Sequence, residues 1–156
     1  MSNIQKSLTT ISGSFTKIEI ADVIDIASIG DPNEFNEITN ASIAFNAGKN
    51  WRTIEKASGG MFNVDGDDTP NGALFEFEAS GKTMLAPREL VKITSLLKKR
   101  LVVKITDGDG LIWLCGNKTE YLKFKYKKVS GASRSEAKLI EFTLFGSLTK
   151  QISLLV

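Results

Sequence analysis

The 156-residue chain contains no histidine and a single cysteine. Without histidine there is no Ser-His-Asp or Cys-His pair, no histidine-rich zinc site and no ordinary general base near neutral pH. One cysteine cannot close an internal disulfide, which suits a reducing compartment. A dominant charge is also lacking. Twenty Lys and Arg against 18 Asp and Glu leave a net charge of +2, too little for the totals alone to imply a nucleic-acid partner. No apolar run approaches the length of a membrane span, so no membrane association is expected. The opening "MSNIQKSLTTISGS" lacks the apolar core of a signal peptide, and export is not expected either. Carboxylate or lysine chemistry is all that is left for catalysis. The chain is expected not to be an enzyme and to carry no cofactor or metal.

What is present is an ordinary globular balance, 42% hydrophobic and 24% charged, in a length that suits one domain with a real core. Residues 1–14 are Ser/Thr-rich and are expected to form a flexible arm, with a single β-rich domain over 15–156. "SFTKIEIADVIDIASI" reads as one long strand, or as two with a bend near Ala21 and Asp22. "ITNASIAFNA" reads as a strand through Ile43 and Phe45. "KNWRTIEKA" fits a strand or a short helix. "ALFEFEASG" alternates cleanly, Phe75, Phe77 and Ala79 against Glu76 and Glu78, as a half-buried antiparallel strand does. "YLKFKYKKV" and "KLIEFTLFG" repeat that pattern, and "SLTKQISLLV" offers a last strand.

One helix is predicted, from about Pro87 to Arg100. Pro87 suits a first helical position, Glu89 and Lys98–Arg100 match the helix dipole, and Leu90, Ile93, Leu96 and Leu97 make an apolar stripe. No alternation of strand and helix runs through the chain, so a doubly wound parallel sheet is not expected. The predicted fold is mainly β: an antiparallel β-sandwich or barrel of six to eight strands with one flanking α-helix.

Two stretches invite a metal reading. In "VVKITDGDGLIWLCG", a calcium loop starting at Asp107 would need a carboxylate at its twelfth position, which is Lys118. A hairpin turn is the better reading, and Cys115 beside it reads as a small buried hydrophobe. In "DGDDTPNGALFE", Asp65, Asp67, Thr69, Asn71 and Glu76 have calcium-like offsets. However, Pro70 occupies the place where such a loop needs glycine. The stretch 58–72 reads as a long loop whose Met61, Phe62 and Val64 are candidate subunit-interface residues.

Lysines and arginine cluster at 98–100, 118, 123, 125, 127 and 128. Phe124 and Tyr126 alternate with Lys123, Lys125 and Lys127 and so point to the opposite face. A stacking platform for single-stranded nucleic acid would not coincide with the cationic groove. A solvated edge, or contact with Glu76 and Glu78 across strands or subunits, fits better. Trp113 reads as core; Trp51, between Lys49 and Arg52, fits either a ligand platform or an interface anchor.

Three features in order carry a resemblance. "NGALFEFEASG" is followed by "PRELVKITSLLKKR", then by the hairpin "LVVKITDGDGLIWLCG", and "YLKFKYKKVSGA" and "KLIEFTLFG" close the chain. Over roughly residues 70–147 this order resembles structural proteins of the tail modules of tailed bacteriophages and prophages, tail tube proteins above all. The resemblance implies a β-sandwich or barrel with one helix, stacked as hexameric rings in a virion tail and made in the host cytoplasm. It implies partners that are further copies, other tail or neck proteins, and DNA in non-specific passage. A neck or tail-terminator protein is the alternative within that class. A nucleic-acid or carbohydrate binding module is the alternative outside it.

Overall fold

The computed structural model describes residues 10–54, 58–84, 90–129 and 139–156. Its organising element is β1 (Thr10–Asp22), a long strand shared by two halves of the sheet. The register slips between Phe15 and Lys17, and such an irregularity bends a strand and increases its twist. Before the slip, Thr10–Ser14 pair with Met61–Asp65 of β6 (Ser58–Thr69). After it, Lys17–Asp22 pair with Leu101–Thr106 of β8 (Leu101–Asp107), and Ile18–Ile20 also pair with β5 (Arg52–Ile54). Residues 10–14, expected to belong to a flexible arm, are therefore sheet. Residues 1–9 of that arm lie outside the described residues.

From β6 the sheet continues through β7 (Gly72–Met84) and β11 (Leu139–Leu148) to β10 (Lys123–Val129), every pair antiparallel. The circuit then comes back to β8. Leu101 and Leu122 exchange two backbone hydrogen bonds, 2.9 and 2.8 Å, in one isolated bridge. The barrel β1–β6–β7–β11–β10–β8 is thus joined at this last seam by one bridge and stays open beyond it. On its other side β8 pairs with β9 (Ile112–Cys115), which leads to β12 (Ser153–Leu155) and β3 (Glu37–Ile38). A separate small pair joins β2 (Ile26–Ser28) to β4 (Ala44–Phe45).

The mainly β fold with a single helix agrees with the sequence. Among the described residues there are twelve strands, more than the six to eight expected, and ten of them share one open sheet. Five of the twelve are only two or three residues long, too short for periodicity to register reliably. The expected strand through Ile43 and Phe45 is broken by a 3₁₀ turn, Asn40–Ser42, that leaves only Ala44–Phe45 extended. The expected bend at Asp22 is present: the Asp22 carboxylate accepts from Ile24 N–H and caps a 3₁₀ turn, Val23–Asp25.

Two cores sit on opposite faces of β1 and β8. Inside the barrel, Phe15, Ile18, Phe142, Leu144, Ile105 and Leu122 are fully buried. On the outside, Ala21, Ile26, Ile38, Val102, Leu114 and Leu155 form a second cluster under the segment that runs from Val23 to Trp51. Leu101, Val103 and Ile105 face the first core, and Val102 faces the second. Burial on both faces explains why "LVVKIT" is nearly continuous in apolar character rather than alternating. Gly146 is needed where β11 passes the closing bridge, because a Cβ there would lie 2.7 Å from Leu122 Cδ2.

The helix α1 is described over Leu90–Leu96 and ends before the predicted Arg100; the predicted start at Pro87 lies outside the described residues. It ends early because Leu97 and Lys99 N–H bond back three residues, to Thr94 and Leu96. Arg100 C=O is then engaged by Val23 N–H, and the chain enters β8. Leu96 is buried and Ile93 packs on the barrel core, but Leu97, placed on the apolar stripe, is 43% exposed.

Candidate functional site

The two aspartate-rich stretches both form hairpin turns, built in opposite ways. Between β8 and β9, Asp107 Oδ1 accepts from Asp109 N–H and Leu111 N–H, each at 2.9 Å. Its Oδ2 accepts from the Trp113 indole N–H at 3.0 Å. Gly110 has a φ of +85°, the conformation that glycine adopts without strain. The carboxylate that suggested a ligand is consumed by its own turn. Cys115, completely buried at the end of this hairpin, has its thiol pushed far above its ordinary value by burial. A thiol held neutral and shielded in this way is a weak nucleophile.

The stretch 58–72 is not the irregular loop expected from its composition. It is β6 and the turn of a long hairpin, paired with β7 from Ser58↔Lys82 to Thr69↔Gly72. Of the three candidate interface residues, Phe62 and Val64 are 3% and 0% exposed and belong to the barrel core. Their place in the core corrects the expectation that they await a partner. Met61, which points to the other face, is 68% exposed.

Among the described residues the hairpin outreaches its neighbours. On the β6 side, pairing with β1 ends at Asp65 among the described residues. On the β7 side, pairing with β11 ends at Phe75. Among the described residues, those from 67 to 74 pair only with each other. Asp67 and Asp68 are exposed there, and their side chains make no hydrogen bond or ion pair with another described residue. Just below, Asp65 and Glu76 face each other across the pair, and Asn63 faces Glu78. Asn63 Nδ2 donates to Asp65 at 3.0 Å and Ser147 Oγ donates to Glu76 at 3.0 Å. Like charges set directly opposite each other destabilise a strand pair, and among the described residues no cation lies within ion-pair distance of them. The calcium-like offsets of 65–76 thus fall on two antiparallel strands and not on a loop. Among the described residues no three acidic, Cys or His side chains are grouped to hold a metal.

The lysine stripe lies on β10. Lys123, Lys125 and Lys127 are exposed, while Phe124 is 4% exposed and stacks on Phe142 at 6.3 Å inside the barrel. Aromatics and lysines occupy opposite faces, as the alternation requires. Lys125 Nζ sits 5.0 Å over the Phe145 ring on the outer face. A groove of about 560 Å³ runs over this face, with Met61, Asp65, Glu76, Glu78, Lys125 and Phe145 among its walls. Three of the other basic residues are separately engaged. Lys99 pairs with Asp22 at 3.2 Å, Arg100 lies over Tyr121 at 4.9 Å, and Lys118 Nζ donates to Ala27 C=O at 3.0 Å.

Trp51 is half-buried in the second core. Phe45 meets it edge-on at 5.4 Å and Lys104 Nζ lies 4.9 Å over its ring. Lys104 in turn pairs with Glu19 at 3.0 Å. A second groove, about 310 Å³, lies between the 29–32 segment and the β9–β10 connection. Its polar groups already serve the fold. Asn36, the one non-glycine residue with positive φ (59°) among those described, donates to Ile152 C=O and accepts from Ser153 Oγ. Glu120 accepts from the Thr149 hydroxyl and, at 3.1 Å, from its N–H.

No helix among the described residues is long and apolar enough to cross a membrane. Comparisons with protein families, with curated proteins and with solved structures return no match.

Proposed function

We propose that this chain is a virion structural subunit, a tail tube or tail-associated protein that assembles with copies of itself into rings forming a channel for DNA passage. The observation that carries the reading is the β6–β7 hairpin, whose residues 67–74 extend past both neighbouring strands and pair with nothing else among the described residues. A self-paired ribbon gains little from its own burial, because its side chains meet solvent on both faces. A neighbour that covers it supplies the missing contacts. The nearly closed barrel with one short helix is the architecture that the sequence resemblance leads one to expect. In this role the chain performs no bond chemistry. Its work is to hold a bore open and let DNA slide without reading sequence.

The binding-module alternative has less support. The β10 aromatics are turned inward, and the Trp51 ring is covered by Phe45 and Lys104. Negative-stain microscopy with light scattering on the purified chain tests the proposal. Rings or stacked rings are expected. A uniform monomer that shifts on single-stranded DNA would replace the proposal with the binding module. A neck or terminator protein would also form rings, but single ones that do not stack into tubes.

A further inference from the structure

We infer that the open edge of β10 is the docking site for a second copy of this chain, and that the part of the second copy which docks is its acidic hairpin tip. The inference rests on the ring-forming reading above and specifies its contact. Three observations carry it.

The first is an unfilled edge. Leu122 turns its N–H and C=O toward Leu101 and bonds both. Backbone groups alternate along a strand, so those of Phe124 and Tyr126 point the same way as those of Leu122. Beyond the bridge, no described residue pairs with them. The second is charge. Along that edge Lys123, Lys125 and Lys127 stand at every second residue on the outer face. Lysines on an edge strand ordinarily discourage pairing with other strands. An acidic strand is the exception that they select for. The third is the hairpin tip, an extended segment whose outer edges are unfilled among the described residues and which carries Asp67 and Asp68. Asp65, already paired with Thr10 and Glu76, stands two residues before Asp67, the spacing that the lysines also have. Within one chain β11 and β7 lie between β10 and β6, and although Lys125 and Asp65 line the same groove, the two charge sets do not meet in an ion pair among the described residues. None of these residues forms an ion pair among those described.

Edge and tip are different surfaces of the same molecule, so the contact is head-to-tail. Such contacts propagate from copy to copy and close into a ring when the rotation between copies permits. The carboxylates that repel one another in the isolated hairpin are neutralised by the neighbour's lysines. Assembly should therefore weaken as salt rises.

Charge reversal tests this contact. One variant carries Lys123→Glu and Lys125→Glu, the other Asp65→Lys and Asp67→Lys, all at exposed positions. In sedimentation velocity at low salt, the unaltered chain is expected to form rings, and each variant alone a monomer with native circular dichroism. A 1:1 mixture of the two should recover rings, since alternating copies restore opposite charges at every contact. Assembly of either variant alone at the unaltered level, or a mixture that stays monomeric, would overturn the inference while leaving the ring reading standing. An unaltered chain that stays monomeric at every salt concentration would remove both. Should a double variant fail to fold, Lys125→Glu mixed with Asp67→Lys makes the same comparison with one change in each chain.

Discussion

The two hairpins of this chain use the same residue types for opposite ends. In the β8–β9 turn, one aspartate makes three hydrogen bonds and the tip lies close to β1, with Gly108 N–H donating to Ser14 C=O at 3.2 Å. In the β6–β7 hairpin, the side chains of Asp67 and Asp68 bond to no other described residue, and the tip pairs with no further strand among the described residues. An aspartate in a glycine-rich turn therefore says little by itself. Its role is set by whether N–H donors converge on it. Where they do, the carboxylate belongs to the fold. Where they do not, it is free to meet a partner.

The comparison can be broken at several points. The largest effect is expected at the base of the long hairpin, where Phe77 is 2% exposed in the barrel core. Phe77→Ala should destabilise by about 3–5 kcal/mol, read by urea unfolding, because a ring-sized cavity replaces close packing. A cost under about 1 kcal/mol would mean that the base of the hairpin is as loosely held as its tip.

Next is Asp107→Ala. It strips two N–H groups and the Trp113 indole of their acceptor, and about 2 kcal/mol of stability should be lost. Trp113 emission should also shift, since its N–H loses a charged partner. A neutral result would show that water replaces the carboxylate without cost.

Gly110→Ala sharpens the same side of the comparison. At a φ of +85° an alanine is strained, and about 1 kcal/mol should be lost in thermal unfolding. The smallest effect on stability belongs to the long tip. Asp67→Ala with Asp68→Ala should stay within about 0.5 kcal/mol of the unaltered chain. A large loss there would mean that these aspartates hold the turn as Asp107 does.

Strands with clean alternation were legible in the sequence. Phe75, Phe77 and Ala79 point inward or toward the core as their spacing implies, as do Ile140, Phe142 and Leu144. The bend after Asp22 was legible too, because the apolar pattern changes there. β6 was misread because Gly59, Gly60, Gly66, Asp67 and Asp68 are poor strand formers, and composition outweighed pattern. The pattern was nonetheless present: Met61, Asn63 and Asp65 are exposed where Phe62 and Val64 are buried. Pairing of Met61–Asp65 with β1 on one side, and of Met61–Thr69 with β7 on the other, overrides the low strand propensity of the stretch. The Asp107–Trp113 bond joins positions six apart across a turn, and nothing in the spacing marks an indole N–H for a carboxylate. The Asn36 anchor of the C-terminal strand spans more than a hundred residues and has no local signal at all. The Lys123–Lys127 stripe was legible as an exposed face. That it borders an edge unfilled among the described residues depends on strand order, which one sequence does not display.

The central claim is that the projecting tip serves association and the base serves folding. Gly66 and Phe75 already face each other in the hairpin, so residues 67–74 can be replaced by Asn-Gly, a pair suited to a two-residue hairpin turn. Sedimentation velocity on the shortened and full-length chains, with circular dichroism melts as the folding control, measures the claim directly. The expected result is a shortened chain that melts with the full-length one, sediments as a monomer, and forms no rings where the full-length chain does. Rings of the same size from both chains would contradict it.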